Sequence, residues 1–474
     1  MNENNNPWRP AIIAGCALAV LLAMFYVPRI KLGDTWLRRI NILSDIQRVD
    51  SAGNVLAEIR ADRLQGLTAA TDSLEITVVD PAFRDSIPPG MVAIEDFSDT
   101  GAPIMERFYA ALDSAKQRPV RIAYFSDSFT EGDVLTQDLR ELLQQKYGGC
   151  GVGFVDINCL TVGYRKTIRS SCANWSEHAP TFCENGFDGQ LQGINGRYFL
   201  PLDYATFEAN CRDEFPGRTD HAERATVFFT PGHYGTKITA GINSDASTTL
   251  FEGGDSGQPA VISRSIAGNI TRFRMTAYGS DSRFYGVAFD CDKGVIIDNF
   301  AIRSATGDHL RKMSDDVLMA FGKERPYDLI VWHYGINVAN PSMGHYPEYK
   351  KNVSDIIARM KRAYPDAAIL ICGMSDRDTR DAHGNLSTRP GIKEFLQLER
   401  QIAAEQHIAY WSLYDAMGGN GSMVKLTEAG EAEKDYCHVN FLGGKRLANL
   451  IFKVWENGKQ NYDRKYITKK TGRE

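Results

Sequence analysis

Asp435 and His438 lie three positions apart in the run Lys434-Asp-Tyr-Cys-His-Val-Asn-Phe-Leu-Gly-Gly-Lys445. At that spacing one short turn can present an imidazole together with a carboxylate that orients it, which is the base half of an acyl-transfer site. The missing half is a nucleophile. The apolar run Val120-Arg-Ile-Ala-Tyr-Phe125 ends in Ser126-Asp-Ser-Phe-Thr-Glu-Gly-Asp133, after which the hydrophobic period becomes helical, so Ser128 falls on a strand-to-helix turn. Strand ends of open α/β sheets are where ligands bind. Ser128 would attack an acyl carbon, His438 would take its proton and return it to the leaving alcohol, and Asp435 would hold the ring and stabilise the imidazolium. A developing oxyanion needs donors. The Ser128 backbone N–H, a turn at Ser304, and Asn337 in Tyr334-Gly-Ile-Asn-Val-Ala-Asn340 can supply them, and each strong donor is worth about 3 kcal/mol of barrier.

Each of these residues also has a purely structural reading. A serine at such a turn caps a helix, an asparagine after a strand serves as a turn residue, and Asp435 with His438 could be a structural pair. Cys437 lies beside His438, but in an extended loop its side chain points away from its neighbour's, which makes it a bystander thiol. His333 sits inside an apolar strand and reads as a core residue, and the other histidines are scattered singly, so no metal or cofactor site is expected. The charged stretch Ser375-Asp-Arg-Asp-Thr-Arg380 follows a strand, where it either borders a substrate or forms a solvated turn.

The elements that must carry these residues follow from hydrophobic period. Helices are expected over Ile104 to Lys116, Asp133 to Lys146, His309 to Phe321, Tyr346 to Ala363, Ile392 to Gln406 and Phe441 to Trp455, alternating with strands Asp328 to Trp332, Ala368 to Cys372 and Ile408 to Leu413. That alternation predicts a parallel sheet flanked by helices. Between residues 166 and 294 the texture changes to short alternating runs separated by Gly, Asn, Asp and Ser, which predicts an inserted β-sandwich. The expected organisation is therefore a membrane anchor (1–30), a spacer (31–100), an α/β domain in two parts (101–165 and 295–474) and the insertion (166–294) within it.

A net charge of −5 offers no broad basic surface, so nucleic acid is not an expected partner. Ala11 to Val27 carries no charge, and as a helix it would be about 25 Å long, enough to cross a bilayer core. Arg29, Lys31, Arg38 and Arg39 behind it would by themselves favour a cytoplasmic body. Of the nine cysteines, none forms a CxxC pair. Cys150, Cys159, Cys172, Cys183 and Cys211 could pair in an oxidising compartment.

With Ser126-Asp-Ser, Ile297-Asp-Asn-Phe-Ala-Ile-Arg-Ser-Ala-Thr-Gly307, Gly335-Ile-Asn-Val338 and Asp435-Tyr-Cys-His438 in this order, the chain resembles the SGNH (GDSL-like) hydrolases. The resemblance implies a flavodoxin-like three-layer α/β fold, ester hydrolysis at Ser128, Asp435 and His438, an oxyanion hole at Ser128, Ser304 and Asn337, and no metal. Three positions depart from the family pattern: Ser126 and Ser304 replace glycines, and Val338 replaces an acidic residue. The insertion and the N-terminal anchor resemble the bacterial peptidoglycan O-acetylesterases in which a jelly-roll-like, carbohydrate-binding-like sandwich splits the catalytic domain. That likeness implies an O-acetylated glycan, peptidoglycan, as substrate and a membrane-anchored protein with its catalytic part in the periplasm. Aromatics that could line a sugar site are Trp175, Tyr198, Phe199, Tyr234 and Tyr285. An O-acetyltransferase of the same fold, or an inactive glycan-binding protein, fits the same residues.

Overall fold

The computed structural model describes residues 74–471 apart from 81, 100, 160, 162, 182–185, 213–217, 259, 341–345 and 382, together with Lys31–Leu32 and Thr35–Trp36. The expected anchor at 1–30, most of the spacer, Cys183 and His345 lie outside the described residues. Among the described residues, no helix is long and apolar enough to cross a membrane. The chain divides into two compact units. The smaller, Met1–Val78 with Thr468–Glu474, contains an antiparallel pairing of Lys31–Leu32 with Thr35–Trp36. The larger, Val79–Ile467, carries every candidate site residue.

The sheet of the larger unit is built from β1 (Glu95–Asp96), β2 (Pro119–Ser126), β3 (Gly294–Ala301), β4 (Leu329–His333), β5 (Ala368–Gly373) and β6 (Ala409–Ser412), in spatial order β3-β2-β4-β5-β6-β1. β2 to β6 run parallel to their neighbours, and only β1 is antiparallel, on the edge beside β6. The parallel strands therefore follow the flavodoxin-like order 2-1-3-4-5, whose switch point lies between the first and third of them, here β2 and β4. Register makes those ends flush, since Ser126 pairs with Ala301 on one side and with His333 on the other. The strands are apolar nearly throughout and buried, as a sheet covered on both faces requires. Helices α1 (Met105–Asp113), α2 (Thr136–Tyr147), α3 (Asp315–Glu324), α4 (Tyr346–Ala363), α5 (Ile392–Glu405) and α6 (Phe441–Lys465) supply the covers. α1 and α2 pack on α6, while α3 and α5 pack on α4, giving a helix layer on each side.

Three elements differ from expectation. The helix predicted over His309 to Phe321 is a 3-10 turn, Asp308–Lys312, followed by α3, because the Ser314 hydroxyl accepts the Val317 N–H at 3.3 Å and starts a new helix. The last helix runs ten residues beyond Trp455, to Lys465. The spacer's end is not a spacer: Glu95–Asp96 pairs with Ala409–Tyr410, and the Val92 carbonyl accepts Trp411 Nε1 at 2.9 Å.

The sequence predicts two packed sheets for the insertion; the structure has one nine-stranded antiparallel sheet. Its two halves join along the hydrogen-bonded path through the single pair Phe199↔Phe284. The halves share an apolar filling in which Phe229 lies 5.0 Å from Phe251 and 5.6 Å from Phe284 between ring centres, and Phe273 lies 5.7 Å from Phe289. The insertion also begins earlier than residue 166, since Gly153–Val155 already pairs with Val287–Phe289. Gly294, expected as its last residue, opens β3. A disulfide between Cys150 and Cys291, with Cα atoms 5.2 Å apart, closes the neck. Below the neck, Phe228 and Tyr285 of the insertion pack on Phe321 of α3. Arg325 bridges Asp290 of the insertion and Asp298 of β3 with hydrogen bonds of 2.8 Å to each.

Candidate active site

The nucleophile segment leaves β2 at Ser126 and turns over Ser128–Thr130. The turn is made by Asp127, whose carboxylate accepts the Phe129 N–H at 3.0 Å and whose carbonyl accepts the Thr130 N–H at 3.3 Å. Burial pushes the Asp127 carboxyl up to about 7, against the pull of the Phe129 and Gly335 N–H groups. Six residues on, Asp133 is buried at a left-handed φ of 65° and accepts from Thr136, Arg140, Arg165, Thr167 and Asn299. Burial raises that carboxyl, yet the two guanidiniums outweigh it and hold it well below the usual carboxylate range. Asp133 thus fastens the segment to α2, to β3 and to the start of the insertion.

Ser128 is not a helix cap. Helix α2 begins only at Thr136, with no side-chain cap on its first turn, and Ser128 Oγ lies 2.9 Å from His438 Nε2. His438 Nδ1 in turn lies 2.6 Å from Asp435 Oδ2. The other Asp435 oxygen accepts the backbone N–H of Cys437 at 2.9 Å and of His438 at 3.1 Å. Burial raises the Asp435 carboxyl, but these hydrogen bonds outweigh it and leave it below its ordinary value. An ionised Asp435 assigns the ring proton to Nδ1 and leaves the Nε2 lone pair facing the serine hydroxyl.

The loop that carries the pair is bent by Tyr436 at φ 55° and closed by Glu433 N–H donating to the His438 carbonyl at 2.8 Å. Asn440 then caps α6, its side chain accepting from Leu442 and Gly443. Gly443 and Gly444 follow for a steric reason. A Cβ on Gly444 would collide with the Val134 carbonyl, and one on Gly443 with the Glu431 carbonyl. The first turn of α6 can therefore lie directly on the nucleophile segment, which brings His438 to Ser128.

The two remaining predicted residues sit on turns tied to this centre. Ser304 is exposed at φ 61°, the left-handed conformation that glycine takes freely, so its backbone direction survives the side chain. Its turn is held by the Ile302 N–H donating to the Ser126 carbonyl at 3.1 Å and by Arg303 Nε donating to Glu131 at 2.9 Å. Asn337 Nδ2 donates to the Ala305 carbonyl at 3.0 Å, which joins its turn to that of Ser304 and leaves its second amide hydrogen for another acceptor. Gly335, at φ 150°, lets the Asn337 turn pass close to Met374 and Phe395.

Arg377 is the residue the sequence undervalues. The stretch Ser375–Arg380, exposed at Thr379 and Arg380, is no solvated turn where it leaves the strand: Asp376 is buried, accepting from Thr388, Ser422 and Met423. Arg377 Nη1 donates to the Ile336 carbonyl at 3.0 Å, beside Asn337, while the Asp378 N–H donates to the Tyr436 carbonyl at 3.0 Å, inside the base loop. The hairpin Asp378–Arg380 with Leu386–Thr388 thus links the Asn337 turn to the base loop. A charged run placed directly after a strand end was the available signal. Cys437 is buried, and burial pushes its thiol up to about 11, which keeps it protonated and unreactive at neutral pH. Of the aromatics considered for a sugar site, Tyr198, Phe199 and Tyr285 are core residues, Trp175 is half-buried, and Tyr234 is exposed.

Together these groups can carry out acyl transfer. The Nε2 lone pair draws the proton from Ser128, the oxygen attacks an acyl carbon, and the proton then goes to the departing alkoxide.

No family model matches the chain, and no curated protein matches its sequence. A solved peptidoglycan O-acetylesterase superposes on it with a TM-score of 0.63 over 77% of this chain and 99% of that one, at 19% identity. The chain has the SGNH, GDSL-like hydrolase fold. Other solved structures overlap more loosely: a GDSL-like lipase from Parabacteroides merdae (TM-score 0.27, 18% identity, 34% of this chain and 74% of that one) and a family two carbohydrate esterase from Clostridium thermocellum (TM-score 0.22, 10% identity, 56% and 96%). These two scores are too low to carry an argument. The first match spans more of the chain than the SGNH segments, spacer and anchor hold between them, so it takes in part of the insertion.

Proposed function

We propose that this protein is a serine esterase that removes O-acetyl groups from a cell-wall glycan, with peptidoglycan as the substrate, through an acetyl-enzyme on Ser128. The observation that carries the reading is the unbroken hydrogen-bonded line from Ser128 Oγ through His438 to Asp435, at 2.9 and 2.6 Å. In the first half-reaction the serine oxygen bonds to the acetyl carbon and the sugar oxygen leaves with the proton that His438 has taken. In the second, water gives its proton to the same nitrogen as its oxygen bonds to the acetyl carbon, the bond from that carbon to the Ser128 oxygen breaks, and the serine oxygen takes the proton back from His438 as acetate leaves. Hydrolysis is favoured over transfer to a second sugar because the His438 and Asp435 side chains are 36% and 49% exposed, so water reaches the base that would activate it. The charge-free run Ala11 to Val27 supports an anchor, and the Cys150–Cys291 disulfide supports a body on the oxidising, periplasmic side.

The test is acetate release from O-acetylated peptidoglycan by the full chain in detergent, alongside Ser128→Ala and His438→Ala. Release that disappears in both variants is the expected result. Acetyl appearing on an added glycan instead of in water would replace hydrolysis with transfer. No release from the unaltered chain, with glycan still bound, would leave only a binding protein.

A further inference from the structure

Tyr164 lies outside every sequence motif, yet it touches both segments that carry the catalytic centre, at Gly132 and at Phe441. Its ring packs over Gly132, four residues past Ser128, where a Cβ would come within 2.7 Å of Tyr164 Cδ1. The same ring stacks on Phe441, three residues past His438, with centres 5.1 Å apart and planes inclined by 25°. Lys166 Nζ covers Phe441 as well, 3.9 Å from its centre. Despite both contacts, Tyr164 remains 50% exposed. Partial burial raises its phenol pKa, and the charge of Glu433, exposed in the base loop, raises it further.

A half-exposed aromatic ring seated between the nucleophile segment and the first turn of α6, with the Lys166 ammonium over the same Phe441 and Glu433 exposed in the base loop, suits a ligand with an apolar face and a polar rim. A pyranose is such a ligand: its axial C–H groups form one face and its hydroxyls the edge. A long acyl chain would gain nothing from Lys166 or Glu433. We propose that Tyr164, braced by Phe441, is the platform on which the sugar bearing the ester stacks, with Lys166 and Glu433 serving its hydroxyl and amide groups. This assignment rests on the esterase reading for the fate of the ester, but the stacking itself can be measured without turnover.

The probe is a tetramer of N-acetylglucosamine titrated by calorimetry into the full chain, Tyr164→Ala, Tyr164→Phe and Tyr164→Trp. Tyr164→Ala is expected to bind about tenfold more weakly, with the ring-retaining variants close to the unaltered chain. With O-acetylated glycan, Tyr164→Ala should raise KM by a similar factor and lower kcat less. Affinity unchanged in Tyr164→Ala, equal loss in Tyr164→Phe, or no binding by the unaltered chain would overturn the platform. So would a preference for longer acyl esters that vanishes with Tyr164→Ala, since the ring would then be an acyl-chain site. Failure of the esterase reading shows separately, as absent acetate release with tetramer binding and its Tyr164 dependence intact.

Discussion

Ser304 shows how a residue can leave a sequence pattern while keeping the geometry that the pattern encodes. A left-handed φ costs a residue with a Cβ roughly 1–2 kcal/mol, and glycine avoids that cost but gives back part of it as lost chain entropy. Ser304→Gly should therefore raise stability by up to about 1 kcal/mol and keep acetate release, since the N–H stays in place. Asn337→Ala, which removes an amide donor, should lower kcat by about a hundredfold or more with little change in melting temperature. Steady-state kinetics and thermal unfolding on the two variants check both. Asp127 gives a pH signature. Its folded value of about 7 lies above its ordinary 3.8, so the folded chain holds a proton that the unfolded chain releases. The stability from that proton is complete below the ordinary value and is lost as pH rises through about 7. Asp127→Asn should therefore gain on the unaltered chain, in melting temperature, between about pH 4 and about pH 8. A constant difference across that range would refute the assignment.

At the scale of elements, what could be read from sequence was whatever period and order encode. Tyr346–Ala363 is found with the bounds expected, because its apolar residues recur at helical spacing from end to end. Ser128, Asp435 and His438 were legible because their residue types are scarce in that order and spacing, and the structure joins them by hydrogen bonds. Glu95–Asp96 was not legible, since two residues have no period. Helix α6, expected to end at Trp455, runs on through Gly458 to Lys465. Gly458 is there because a Cβ would strike the Tyr109 hydroxyl of α1, a packing demand invisible in one dimension. Tyr164 was missed for the same reason, being a lone aromatic in a turn. Gly335 makes the complementary prediction. With φ at 150° and a Cβ only 2.5 Å from Met374 Cβ, Gly335→Ala should cost about 2 kcal/mol or more and reduce acetate release by displacing Asn337. Urea unfolding and turnover should fall together, and loss of stability alone would show that the turn does not position the donor.

At the largest scale, the unit Val79–Ile467 is held together where insertion and sheet meet. Arg325 is almost fully buried between Asp290 and Asp298, so Arg325→Ala would remove the cation the two buried carboxylates share, leaving Asp290 with Arg121 at 3.5 Å and Asp298 with the Tyr327 hydroxyl at 2.6 Å, and should cost about 3 kcal/mol in a urea titration. Arg325→Lys should recover only part of that, since one ammonium cannot replace a planar fork serving both acids. The Cys150–Cys291 link has a different consequence. A protease cut at any peptide bond from 151 to 290 would put Ser128 on one polypeptide and His438 on another. Those two polypeptides would still be one covalent molecule, migrating as a single band until a thiol is added, and the nicked enzyme could keep its nucleophile and its base in register.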